Sequence, residues 1–155
     1  MWNVIQCAVQ GRGHIKSNTP CQDKTYSMIT GTMRVIALAD GAGSARLSHY
    51  GAENVTKFAC LELSDKFDSY FADNDGVAVK KQLIEGLLKS LNETAKRLDC
   101  EMKELASTLL FVAIKNNQFI IAHIGDGVIG YLKKNELKIA SQPENGEFVN
   151  TTVFT

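Results

Sequence analysis

The sequence predicts an α+β fold in a single domain, and three observations carry that reading. Two long segments with apolar residues at helical spacing lie next to each other in the middle of the chain. β-prone runs stand before and after them and do not alternate with them, so the pattern is not βαβ. The chain has 155 residues, enough for one domain with its own core. No internal repeat or low-complexity linker divides it, so residues 1–155 are taken as one unit.

Taken in order, Trp2–Val9 alternates well enough for a strand. Gly11–Gln22 is rich in Gly, Ser, Asn and Pro and reads as a loop. Thr25–Ile29 and Met33–Ala39 read as two strands joined by a short turn at Thr30–Thr32. Asp40–Arg46 is a loop of small residues. Ser48 is placed to cap a helix reaching about Phe67, with Val55, Ala59, Leu63 and Phe67 at helical spacing. Tyr70–Gly76 reads as an acidic loop. A second helix follows from about Val77 to Leu98, with Ile84, Leu87, Leu88, Leu91, Ala95 and Leu98 on one face. Its lysines Lys80, Lys81, Lys89 and Lys96 form a solvated face. Ser107–Ile114 and Gln118–Ile124 form a hairpin turning at Asn116–Asn117, because asparagine tolerates positive φ. Gly127–Lys133 and Leu137–Ser141 pair around Asn135. The last residues, EFVNTTVFT, read as a strand that stops at Thr155, and truncation of a longer architecture is expected.

Composition narrows the function. Hydrophobic residues make up 45% and charged residues 22%, ordinary for a globular domain. Seventeen basic residues balance seventeen acidic ones, which argues against nucleic-acid or membrane-surface binding driven by bulk charge. No run of about 18 apolar residues marks a membrane span, and the N-terminus lacks the pattern of a signal peptide. The four cysteines, Cys7, Cys21, Cys60 and Cys100, are widely spaced and form no Cys-x-x-Cys pair. A zinc or disulfide framework is therefore a poor reading, and a reducing cytoplasm is the simpler location.

Two Asp-Gly turns carry the chemistry. Asp40-Gly41 ends the apolar run VIALAD, and Asp126-Gly127 ends FIIAHIGD. Each sets a carboxylate where a strand stops, and glycine lets backbone carbonyls approach a ligand. Asp23, in PCQDKT, is a third acid before a β-prone run. Carboxylates on rigid strand ends suit hard cations such as Mg²⁺ or Mn²⁺. A single Asp-Gly pair would be weak evidence, since the dipeptide is common in turns.

The ordered segments GRGHIKSNTPCQDK, VIALADGAGSARLSHYGAE, STLLFVAI, IAHIGDGVIG and QPENGEFVNTTVF resemble the protein phosphatase 2C (PPM-type) family, especially its bacterial branch. The resemblance spans nearly the whole chain. It implies an αββα four-layer sandwich, incomplete here at the C-terminus. It implies hydrolysis of phosphoserine and phosphothreonine in proteins by a water activated on two or more Mn²⁺ or Mg²⁺ ions. A cognate kinase is a further implied partner, with no nucleic acid or membrane; the oligomeric state is left open.

By resemblance, Asp40 bridges two metals and the Gly41 carbonyl binds one of them. Asp23 holds metal-bound waters, and Asp126 serves a third, weaker metal. Gln22 departs from the pattern, since many members carry a metal-binding Glu there. Ser44, among small residues, lets the substrate phosphate approach. Arg12 and His14 lie in the loop where other members keep an arginine for phosphate. His14 has a second reading as general acid to the leaving alkoxide. Thr108 reads as packing, and His123 as a core histidine. Two further aspartates of the family pattern would fall after the segment matching GEFVNTTVF; Glu144 and Glu147 are possible replacements. The alternative to an active phosphatase is a catalytically impaired phosphatase-like binding or regulatory module.

Overall fold

The computed structural model describes residues 2–143 and 155. Its elements run α1 (Arg12–Ser17), β1 (Lys24–Thr30), β2 (Met33–Ala39), α2 (Ser48–Ala72), α3 (Gly76–Leu98), a short 3₁₀ helix (Met102–Leu105), β3 (Leu109–Lys115), β4 (Gln118–Ile124), β5 (Ile129–Lys133) and β6 (Glu136–Ser141). Mixed helix and sheet, with the long helices side by side in sequence, agree with the α+β expectation. The expected terminal strand, apart from Thr155, and Glu144 and Glu147 fall outside the described residues.

Strands β1–β4 form one antiparallel sheet in sequence order, and β5–β6 form a separate two-stranded sheet. The turns between strands follow from residues that accept positive φ. Gly31 serves β1–β2, Asn116 serves β3–β4, and Lys134 with Asn135 serves β5–β6. In β2 the alternation is complete: Met33, Val35, Ala37 and Ala39 are buried and Leu38 is exposed. The register sets Val35 opposite Ala113 and Ala37 opposite Phe111, so both strands turn the same face inward.

The long helix α2 lies on that face, against β1, β2 and β3. Ala52, Val55, Ala59, Leu63 and Phe67 recur every three or four residues and are at most 1% exposed. Alanines on both partners keep the layers close, while Leu63 and Phe67 supply the volume. Truncating Leu63 to Ala should cost about 2–5 kcal/mol. Helix α3 packs on α2 and on the 3₁₀ helix. At Gly51 the backbone of α2 meets that 3₁₀ helix so closely that a Cβ would lie 1.7 Å from the Leu105 carbonyl oxygen. The opposite face of the sheet presents Ile29, Leu38 and Phe119 to solvent.

Several local expectations need correction. Residues 2–11 contain no strand; Trp2, Ile5 and Val9 are exposed, because an alternating pattern makes a strand only where a neighbour accepts its hydrogen bonds. The expected loop 11–22 contains α1, which ends at Asn18 in the left-handed region. Ser48 is the first residue of α2, not its cap: Leu47 stands at the cap position and makes no side-chain bond. Helix α2 also runs to Ala72, past the predicted end. Asp75, assigned to an acidic loop, caps α3 by accepting from the backbone N–H groups of Val77 and Ala78 at 3.0 and 3.1 Å. Among the described residues no helix is long and apolar enough to cross a membrane.

Candidate functional site

The site is built around the end of β2. Asp40 follows the last residue of that strand and is held at both backbone groups by Thr108, which directly precedes β3. The Asp40 N–H donates to Thr108 Oγ1 at 2.9 Å, and the Thr108 N–H donates to the Asp40 carbonyl at 2.8 Å. Two residues on, the Ala42 N–H donates to the Ala106 carbonyl at 3.0 Å. Those bonds flank an antiparallel bridge between Gly41 and Ser107. They use the carbonyls of Asp40 and Ala106 and not that of Gly41. The Gly41 N–H donates to the Gln22 carbonyl at 3.2 Å, which ties the segment before β1 to the same turn.

Behind the turn lies α2. A Cβ on Gly41 would sit 2.8 Å from Ser48 Oγ, 2.9 Å from Ser48 Cβ and 3.0 Å from the Ser48 carbonyl carbon. Only glycine permits that approach. Ser48 is fully buried, and its Oγ accepts from Gln22 Nε2 at 2.7 Å.

Three acids converge on this turn. The Asp40 carboxyl is raised above the ordinary carboxylate range. Desolvation is the largest cause, followed by the charge of Asp23, a hydrogen bond with the Asp23 side chain, and the charge of Asp126. His14, from α1, acts in the opposite direction and lowers it. Ionised carboxylates have only acceptors, so neighbouring acids repel one another unless a proton or a cation intervenes. Asp126 lies in the turn after β4, where Gly125 takes φ 114°. Gly127 there packs on Leu110, whose terminal methyls would lie 2.6 and 2.8 Å from an added Cβ.

The structure thus brings Asp40, Asp23, Asp126 and His14 into electrostatic contact, with Gly41 adjoining. Arg12, at the start of α1, is exposed and is not among the charges acting on Asp40. Ser44 is exposed in the small-residue turn before α2. Among the described residues, no group of three or more His, Cys, Asp or Glu side chains is placed so that it could hold a metal ion. The donors nevertheless fit a hard cation in kind. They are carboxylate and carbonyl oxygens, and the acids repel one another unless positive charge or a proton intervenes. Such a cation would take few direct protein ligands and keep several waters, as Mg²⁺ commonly does.

Sequence reasoning missed two supports. Thr108, read as packing, is 3% exposed and both accepts from and donates to the Asp40 backbone. Gln22, considered as a weak ligand, has its side chain buried against Ser48. His123, read as a satisfied core histidine, pairs through Nδ1 with Ser141 Oγ at 2.8 Å and so joins β4 to β6. Its Nε2 is buried with no partner among the described residues, so it is satisfied on one side only.

An antiparallel sheet carrying a helix pair, with acids gathered at its strand ends, now has a family to which it can be assigned. Residues 10–155 match the sequence model of the family described as Protein phosphatase 2C, and the chain belongs to that family. No curated protein matches it.

Proposed function

We propose that this protein is a Mn²⁺- or Mg²⁺-dependent phosphatase acting on phosphoserine and phosphothreonine in proteins. Family membership supports the phosphatase class. The observation that carries the finer reading is the gathering of Asp23 and Asp126 near Asp40 at the end of β2, where their charges raise the Asp40 carboxyl. Asp40 and the Gly41 carbonyl would hold the cations directly, and Asp23 and Asp126 would hold them through water. Bound there, the ions would supply a water of lowered pKa and positive charge for the phosphate oxygens.

The chain's own residues do the rest. Thr108 fixes the Asp40 backbone, so its carboxylate need not search for its place. His14 offers an imidazole beside the acids, as a phosphate contact or as proton donor to the leaving alkoxide. Arg12 and Ser44 are assigned to phosphate binding on resemblance. The exposed apolar residues Ile29, Leu38 and Phe119 mark the sheet face on which the second sheet of a four-layer sandwich would pack.

p-Nitrophenyl phosphate hydrolysis by the purified chain, with and without Mn²⁺ and beside Asp40→Asn, tests this reading. Mn²⁺-dependent turnover lost in the variant is expected. A second reading, an impaired module that binds a phosphoprotein or a partner kinase, is favoured by the use of Gln22 as a support, and by the lack, among the described residues, of three His, Cys, Asp or Glu side chains placed to hold a metal. Mn²⁺ binding by a folded chain without turnover would select it.

A further inference from the structure

The Gln22 side chain occupies a position from which a ligand is expected, and it is turned to another task. Its amide is buried, and Nε2 donates to Ser48 Oγ at 2.7 Å. Ser48 is 0% exposed and forms the wall against which Gly41 rests, with no room for a Cβ between them. The Gln22 carbonyl also accepts from the Gly41 N–H at 3.2 Å. One residue therefore grips the turn twice, by its backbone directly and by its side chain through Ser48.

We propose that Gln22 and Ser48 form a positioning pair that fixes the Asp40–Gly41 turn before any cation arrives, and that Gln22 is not itself a ligand. The consequence for metal binding rests on the reading of Asp40 as a ligand; the positioning itself does not. The physical argument has three steps. A buried hydrogen bond between two neutral side chains is costly to leave half-made, so both partners keep a single geometry. That geometry sets the depth of Ser48, which in turn sets how closely Gly41 approaches α2. The carbonyl and carboxylate beside it are then held in one orientation, and supports of this kind typically change metal affinity about 10–100-fold when removed.

The pairing makes a prediction that a ligand would not share. Gln22→Leu and Ser48→Ala should each speed amide hydrogen exchange across residues 40–42 of the metal-free chain about tenfold, the scale of one lost hydrogen bond. Both variants should still unfold cooperatively. The double variant should be no worse than the more affected single variant, because each change breaks the same contact. Mn²⁺ affinity should fall in parallel in both single variants. Unchanged exchange at residues 40–42 in Ser48→Ala would overturn the proposal. Weaker Mn²⁺ binding in Gln22→Leu alone would also overturn it and make Gln22 a direct ligand. Faster exchange in both variants of a chain that binds no Mn²⁺ would uphold the positioning pair and remove the metal reading instead. Gln22→Asn, too short to reach Ser48 from the same backbone, should match Gln22→Leu; exchange at the wild-type rate there would count against the pair.

Discussion

The two Asp-Gly turns begin alike and are built differently. Each follows an apolar strand, and each delivers a carboxylate to the same cluster. Asp40-Gly41 is held from three directions: Thr108 bonds the Asp40 backbone, Gln22 accepts from the Gly41 N–H, and Ser48 closes the space behind. At Asp126-Gly127, Gly125 stands in the left-handed region and Gly127 lies against the flexible end of Leu110. The first turn joins the sheet to α2 and the core; the second leads from β4 into the separate β5–β6 ribbon. The same dipeptide is therefore set in different surroundings at the two strand ends.

The largest contrast should appear in activity. Asp40→Asn should reduce Mn²⁺-dependent phosphatase turnover more than about 100-fold, beyond the usual effect of a supporting residue, whereas Asp126→Asn should reduce it about tenfold. Steady-state kinetics with p-nitrophenyl phosphate measure both. Equal losses would remove the distinction between the turns.

Stability should separate the glycines. Gly41→Ala forces a Cβ against the Ser48 backbone as well as its side chain, and should cost about 2–3 kcal/mol in urea unfolding. Gly127→Ala meets only Leu110 methyls, which can rotate away, so about 1 kcal/mol is expected. Thr108→Val keeps the shape but removes the acceptor for the Asp40 N–H. It should cost about 1 kcal/mol, with a loss of activity that Asp40→Asn does not further add to in full.

The smallest effect is on pH dependence. Although Asp40 is exposed, partial desolvation of its carboxyl and neighbouring acids raise it, so in the metal-free chain this group favours folding below its unfolded value. That advantage is lost as pH rises through its raised folded value. Metal-free Asp40→Asn should therefore be more stable than wild type at neutral pH, and the gap should close in mild acid. Thermal melts across that range, with chelator present, measure it.

What was legible in the sequence was what repeats along it. The 3.6-residue spacing of Val55, Ala59, Leu63 and Phe67 marks α2, and the alternation from Met33 to Ala39 marks β2. Turn positions followed from asparagine and glycine at positive φ. The acids of the cluster were found because strand ends and Asp-Gly pairs are visible locally. Their supports were not. Gln22 and Ser48 are 26 residues apart, and Thr108 lies 68 residues from Asp40, so no local pattern links them. Residues 2–9 misled for the same reason, since alternation is visible in sequence and the lack of a partner strand is not. Ser48 misled because a serine before an apolar periodic run is a common helix cap, and here its hydroxyl turns inward to Gln22.

The most direct test of the central claim is Mn²⁺ titration of the wild-type chain and Asp40→Asn, followed by calorimetry. The Asp40–Gly41 turn as the principal metal mount predicts saturable binding in the wild type and its loss in a variant that remains folded. Equal binding by both chains would place the metal elsewhere and contradict the account.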